Sequence, residues 1–204
     1  MPVVHYAARE ITCKIVYYGP GRSGKTSNLQ YIHRRAPADR RGEMMSLATH
    51  GDRTLFFDFL PLDLGTISGF TTRFQLYTVP GQVYYRSTRR LVLQGADGVV
   101  FVADSQRRQR EENVESYRDL HEALAEQGTD PRDLPLVLQY NKQDLPADLI
   151  CPPAELDQLL NFRNVPSFPA EALGGRGVFE TLRRVSELVL RRLAAPAPAV
   201  ATGR

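Results

Sequence analysis

Gly19-Pro20-Gly21-Arg22-Ser23-Gly24-Lys25-Thr26 decides how this chain folds. It matches the pattern G-x-x-x-x-G-K-[ST] in full, a loop whose glycines let the backbone wrap closely around phosphate groups with its N–H groups pointing inward. The loop must open a helix, whose N-terminus adds partial positive charge where the phosphates lie. Lys25 then reaches the β- and γ-phosphates, and the Thr26 hydroxyl ligates Mg²⁺. Gly19, Gly21, Arg22, Ser23, Gly24, Lys25, Thr26 and the adjoining Ser27 are the candidate phosphate contacts. On these residues alone the chain binds a nucleoside triphosphate of unspecified base.

The flanks have the required form. Ile11 to Tyr18 (ITCKIVYY) is β-rich and ends at Gly19, so it reads as a strand. A helix runs from the loop to about Arg35. Residues 36 to 53 show no sustained periodicity and read as a long loop. Leu55 to Leu60 and Gly69 to Val79 read as two strands of a hairpin. A turn at Pro80-Gly81 leads to a short helix ending near Gln94-Gly95. Strands follow at Asp97 to Ala103, Leu134 to Tyr140 and Val165 to Ala170, alternating with helices near 110–127, 153–160 and 177–193. Val178, Leu182, Val185 and Val189 form a core-facing stripe on the last helix. Strand–helix alternation implies an α/β, three-layer P-loop fold: a mainly parallel sheet of about six strands, one of them antiparallel, with helices on both faces. One domain spans 1–195, and the Pro/Ala-rich 196–204 reads as a disordered tail.

The bulk composition sets bounds. The chain has 204 residues, 42% hydrophobic and 24% charged, as an ordinary globular domain does. No apolar run approaches the ~20 residues of a membrane span, and neither a signal peptide nor a prenylation box is visible. A cytoplasmic location is expected, with Cys13 and Cys151 reduced. The net charge of +3 permits nucleic-acid contact, but no reader motif accompanies it. The four histidines have no metal-ligand spacing. Among 26 basic residues the lysines are only Lys14, Lys25 and Lys142. Two of these three fall in nucleotide motifs, where a compact ammonium does what a planar guanidinium does not.

The base is set by Asn141-Lys142-Gln143-Asp144, directly after an apolar strand at the carboxyl edge of the sheet, where ligands bind in such folds. A carboxylate at Asp144 accepts hydrogen bonds from guanine N1–H and the 2-amino group. Adenine lacks that donor pair, so the wrong base leaves a charge unpaired. Asn141 braces the loops and the Lys142 stem covers the base plane. Glu171-Ala172-Leu173 follows the last strand. Its backbone offers an N–H to guanine O6, most readily from Ala172 with Leu173 beside it, or else forms a plain strand-to-helix turn.

The order of phosphate loop, Thr54, Pro80-Gly81-Gln82, NKQD and EAL resembles the Ras-like small GTPases. More closely, GPGRSGKT, Asp52 to Asp63 (DRTLFFDFLPLD), Tyr77 to Gln82 (YTVPGQ) and NKQD resemble the MglA family, over residues about 8 to 193. That family comprises bacterial and archaeal GTPases of cell polarity and surface motility. The resemblance implies a slow GTPase with GTP or GDP and Mg²⁺ as ligands. Thr54 would bind Mg²⁺ and sense the γ-phosphate. Arg53 would be an arginine finger supplied in cis, Gln82 would orient the attacking water, and Gly81 would lie against the nucleotide. Gly21 would be the place where a side chain obstructs that geometry. A Roadblock-fold activating protein of the MglB type and effectors of the switch loops are the implied partners, with the protein itself a monomer, and a polar location in the GTP form is implied. One departure from the Ras-like pattern stands out: the D-x-x-G aspartate is Thr78, which removes an anionic group from the metal site. Asp58 either compensates near the metal or faces solvent on an edge strand; it interrupts an apolar run, where a bare carboxylate is costly.

Two other readings compete. One is a GTP-dependent scaffold that does not hydrolyse; the other is a P-loop kinase or ATPase.

Overall fold

The structure is a computed structural model that describes residues 3–48, 56–67, 69–81 and 86–194. Among these, the strands are β1 Val3–His5, β2 Glu10–Tyr18, β3 Met45–Ala48, β4 Phe56–Ile67, β5 Phe70–Thr78, β6 Gly98–Asp104, β7 Leu136–Asn141 and β8 Ser167–Pro169. The helices are α1 Lys25–Arg35, α2 Arg86–Leu93, α3 Arg110–Glu126, α4 Pro153–Leu160 and α5 Val178–Ala194. The sheet order is β3-β4-β5-β2-β6-β7-β8, with β1 paired to β2. The pairs β2–β5, β2–β6, β6–β7 and β7–β8 are parallel.

The α/β architecture is the expected one, with eight strands rather than about six. The two additions are short and depend on pairing rather than pattern. β1 is antiparallel to the start of β2, with Val4 opposite Ile11. β3 lies inside the stretch that reads as a loop, and pairs antiparallel with β4, Ser46 opposite Asp58. Four residues are too few to show a period, so only their partner defines them as a strand. β4 also runs past Leu60 to Ile67. Pro61 is tolerated there because the β3 register reaches only Phe59, leaving the missing N–H with no ladder bond to β3 to break. A register shift between Asp63 and Thr66 follows, where the Asp63 carboxylate accepts from Gly65 N–H at 2.7 Å.

Each sheet face carries its own core, because central parallel strands are buried on both sides. One face packs Val16, Tyr18, Val99, Phe101, Leu138 and Tyr140 against Tyr117, Leu120 and Leu124 of α3 and Leu156 of α4. The other packs Ile15, Tyr17, Val100, Val102 and Val137 against Leu29 and Ile32 of α1 and Val178, Leu182, Val185 and Val189 of α5. The stripe read on the last helix is thus the α5 contact. Cys13 and Cys151 are buried and unpaired with each other. Among the described residues no helix is long and apolar enough to cross a membrane. The consequence for the site is positional: β2, β6 and β7 end together, and their outgoing loops meet above one edge of the sheet.

Candidate functional site

The phosphate loop leaves β2 at Gly19 and enters α1 at Lys25. Gly24 has φ +101°, and a Cβ there would lie 2.1 Å from Asn141 Nδ2. No side chain fits, because the space belongs to Asn141. That amide donates to Ser23 O at 2.7 Å and accepts from Ala172 N–H at 2.8 Å. Asn141 therefore joins the phosphate loop to the loop after β8, through 118 and 31 positions of chain. The Ala172 N–H, the expected O6 donor, points at Asn141 in this structure, while Leu173 beside it is 75% exposed. Asp144 is exposed on the same rim. Lys142 has left-handed backbone, φ +71°, and its ammonium pairs with the Asp104 carboxylate at the end of β6. Its stem is thereby held at the edge beside Asn141. Asp104 is absent from the sequence reading; a carboxylate closing an apolar strand (GVVFVAD) was the available signal.

Lys25 is 6% exposed and donates to Gly19 O at 2.9 Å and Pro20 O at 2.6 Å. Burial, then the nearby Arg89 guanidinium, lower its pKa to about 7 against the opposing pull of Asp58. An anion in the loop would favour the charged form.

Asp58 settles toward the loop, not toward solvent. It is 9% exposed and accepts from Thr26 Oγ1 at 2.6 Å, Ser46 Oγ at 2.7 Å and Thr78 Oγ1 at 2.9 Å. Its own N–H donates to Thr78 Oγ1 at 2.9 Å. Thr78 thus occupies the position between carboxylate and strand rather than supplying a charge. These residues line a cavity of about 350 Å³ with Gly24, Lys25, Ser27 and Gly81. One carboxylate and several hydroxyls are hard oxygen donors of the type Mg²⁺ takes when phosphates and water complete its shell. Among the described residues there is no group of three His, Cys, Asp or Glu side chains that could hold a metal alone. Ser46 went unnoticed in the sequence because its strand did.

Gly81 packs against the loop. A Cβ on Gly81 would sit 2.3 Å from Gly21 Cα and N, whereas one on Gly21 would meet Gly81 at 3.7 Å, an ordinary contact. The obstruction expected at Gly21 concerns Arg53 and Gln82, and is separate from this contact. Arg53, Thr54 and Gln82 lie outside the described residues, as does the 196–204 tail. Arg22, with φ +62°, lines the phosphate cavity.

The α2 helix is fastened on the far side. Asp119 of α3 accepts from Arg86 Nε at 2.8 Å, pairs with Arg89 at 3.2 Å, and accepts from the Tyr18 hydroxyl. Burial alone would raise the Asp119 pKa; Tyr18 and the two arginines overcome it and lower it.

A mixed, mostly parallel sheet with a phosphate loop, a hydroxyl-and-carboxylate pocket and a braced NKQD edge defines a small GTPase of the P-loop class. The family model described as ADP-ribosylation factor family matches residues 61–189. The Mutual gliding-motility protein MglA of Myxococcus xanthus (strain DK1622) is 56% identical over 193 residues, 95% of this chain and 98% of that protein. ADP-ribosylation factor-like protein 4D of Mus musculus is 29% identical over 188 residues, 89% and 85% of the two chains. ADP-ribosylation factor-like protein 6 of Caenorhabditis briggsae is 25% identical over 185 residues, 88% and 87%. The chain belongs to the MglA family of small GTPases.

Proposed function

We propose that this chain is a switch that binds GTP and GDP with Mg²⁺, slowly hydrolyses GTP, and controls cell polarity or surface motility. The observation that carries the reading is the Asn141 side chain, which holds the phosphate loop and the base-side loop on its two ends. One ligand spanning both must have phosphates at one end and a base beside Asp144 at the other. The motility role rests on the relationship to the Myxococcus xanthus protein named for gliding motility.

Lys25 and the loop N–H groups bind the phosphates, and Asp144 reads guanine. Thr26, Thr54 and Asp58 hold the metal, which neutralises phosphate charge when bound. Gln82 orients the attacking water and Arg53 stabilises the charge that develops, a contribution of ~10³–10⁵ in rate for such arginines. The loops near 40–54 and 80–90 order around the γ-phosphate and release after hydrolysis. A Roadblock-domain protein of the MglB type accelerates the reaction by arranging Arg53 and Gln82, and effectors read the ordered loops. The protein acts as a monomer in the cytoplasm, gathered at a cell pole in the GTP form, without nucleic-acid partners. Its GTPase domain spans 1–195, with 196–204 as a tail.

Single-turnover GTP hydrolysis, with and without a Roadblock-domain partner, tests the reading. Turnover stimulated by the partner and lost in Arg53→Ala supports it, whereas none in any mixture favours the non-hydrolysing scaffold. Competition by nucleotides tests the base: tight ATP binding, or indifference to Asp144→Asn, refutes the guanine assignment and restores the kinase or ATPase reading.

A further inference from the structure

Gln139 lies two residues before Asn141 on β7, so both side chains leave the same face of the sheet, toward α1 and α5. Asn141 is one rung between the phosphate loop and the base-side loop. Gln139 forms a second. Its Nε2 donates to Asn28 Oδ1 at 3.0 Å and to Thr181 Oγ1 at 3.2 Å. Asn28 Nδ2 in turn donates to Gly24 O at 2.9 Å, the last residue of the phosphate loop. The Thr181 hydroxyl donates to Gly177 O at 2.6 Å, where the base-side loop closes into α5. Gly177 is itself pinned: with φ +75°, a Cβ there would lie 2.2 Å from Pro169 O at the end of β8.

The chemistry of this row is poor for a core. Asn28, Gln139 and Thr181 are all 0% exposed, and Gln139 Oε1 finds no partner among the described residues. A buried acceptor left unmade opposes stability, and an apolar side chain of the same shape would avoid it. Packing therefore does not account for an amide here. Its two donor bonds do: each ends, through one further side chain, on a backbone carbonyl of a nucleotide-facing loop.

We infer that Gln139 is a positioning residue for guanine recognition, setting with Asn28 and Thr181 the spacing between the phosphate loop and the base-side loop. The inference rests on the guanine-nucleotide reading above. A ligand held at both ends needs that spacing; when it loosens, the contact that suffers is the one at Asp144, because the phosphate loop retains its own backbone cradle.

The test uses the full chain loaded with a fluorescent GDP analogue, displaced by GDP or by inosine diphosphate, which lacks the 2-amino group. Wild type, Gln139→Met, Thr181→Val and Thr181→Ser are compared. Gln139→Met and Thr181→Val should release GDP about tenfold faster, equivalent to ~1.4 kcal/mol. Their preference for GDP over inosine diphosphate should shrink at least threefold, on the order of 0.6 kcal/mol. Thr181→Ser keeps the hydroxyl and should behave as wild type. General loosening of the fold would weaken both nucleotides alike, so an unchanged preference in Gln139→Met and Thr181→Val overturns the inference. So does a Thr181→Ser variant as impaired as Thr181→Val. ADP displacing the analogue from wild type as well as GDP does overturns the guanine reading itself. Preference intact in wild type and in both variants removes only the role of Gln139.

Discussion

Thr26 Oγ1 donates to Asp58 Oδ2 across 2.6 Å, joining the first turn of the phosphate-loop helix to the start of the antiparallel strand β4. The bond shows where this protein keeps its acidic group. The Ras-like position is Thr78, and Thr78 also bonds to Asp58, at 2.9 Å. A carboxylate thus lies one strand across the sheet from Thr78, and the hydroxyls of Thr26 and Thr78 both donate to it. Asp58→Asn should therefore weaken metal-dependent nucleotide retention. We expect GDP release at fixed Mg²⁺ to quicken by about tenfold or more, equivalent to ~1.4 kcal/mol. A Mg²⁺ titration of the release rate checks this; an unmoved midpoint would reduce Asp58 to a structural acceptor.

Gly81 and Gly21 approach asymmetrically. A methyl on Gly81 meets backbone atoms at 2.3 Å, which cannot rotate away, while one on Gly21 meets only an ordinary contact. Gly81→Ala should cost about 1–3 kcal/mol of stability, the range for overpacking. Gly21→Ala should cost no more than about 0.5 kcal/mol. Urea unfolding of both variants without nucleotide gives the order; equal costs would contradict the packing.

The arginines of α2 differ in how Asp119 matters to them. The Arg89 side chain is 5% exposed and that of Arg86 53%. Asp119→Ala strands a buried guanidinium and should cost about 3–5 kcal/mol. Arg86→Ala removes a solvated partner and should cost about 0–1 kcal/mol. Denaturant midpoints of the two variants are the measurement, and a mild Asp119→Ala would mean that Arg89 finds another partner.

Acid should destabilise the α3–α4 face through His121. Its ring lies edge-on to Tyr117 at 4.7 Å and tilted to Phe162 at 5.5 Å between centroids. Burial, then the charge of Arg163, lower its pKa below the ordinary 6.5. As pH falls below that value the unfolded chain takes a proton that the folded chain resists, so stability is lost. His121→Phe should lose less than wild type between pH 7.5 and pH 5.5. Urea midpoints at the two values check the difference, and parallel losses would exclude His121.

Much of the site was legible along the chain. Gly19 to Thr26 and Asn141 to Asp144 are contiguous, and their chemistry depends on residue type at fixed short spacing. The α5 stripe was equally plain, because a helical period repeats within a few residues. The strand β3 was not, since four residues carry no period and exist as a strand only opposite Phe56 to Phe59. Ser46 was lost with it.

The sequence by itself determined a phosphate loop between strand and helix, a guanine motif at a strand end, and α/β alternation that brings such loops to one edge. Only the tertiary structure decided that Asp58 turns inward to Thr26 and that Lys142 meets Asp104. It alone placed Gln139 and Asn141 as two rungs between the same pair of loops. The reason is range. Loop chemistry and helix periodicity are local properties of the backbone. A side chain's partner 32, 38 or 111 positions away depends on which strands pair, in which register, and on which face each residue emerges.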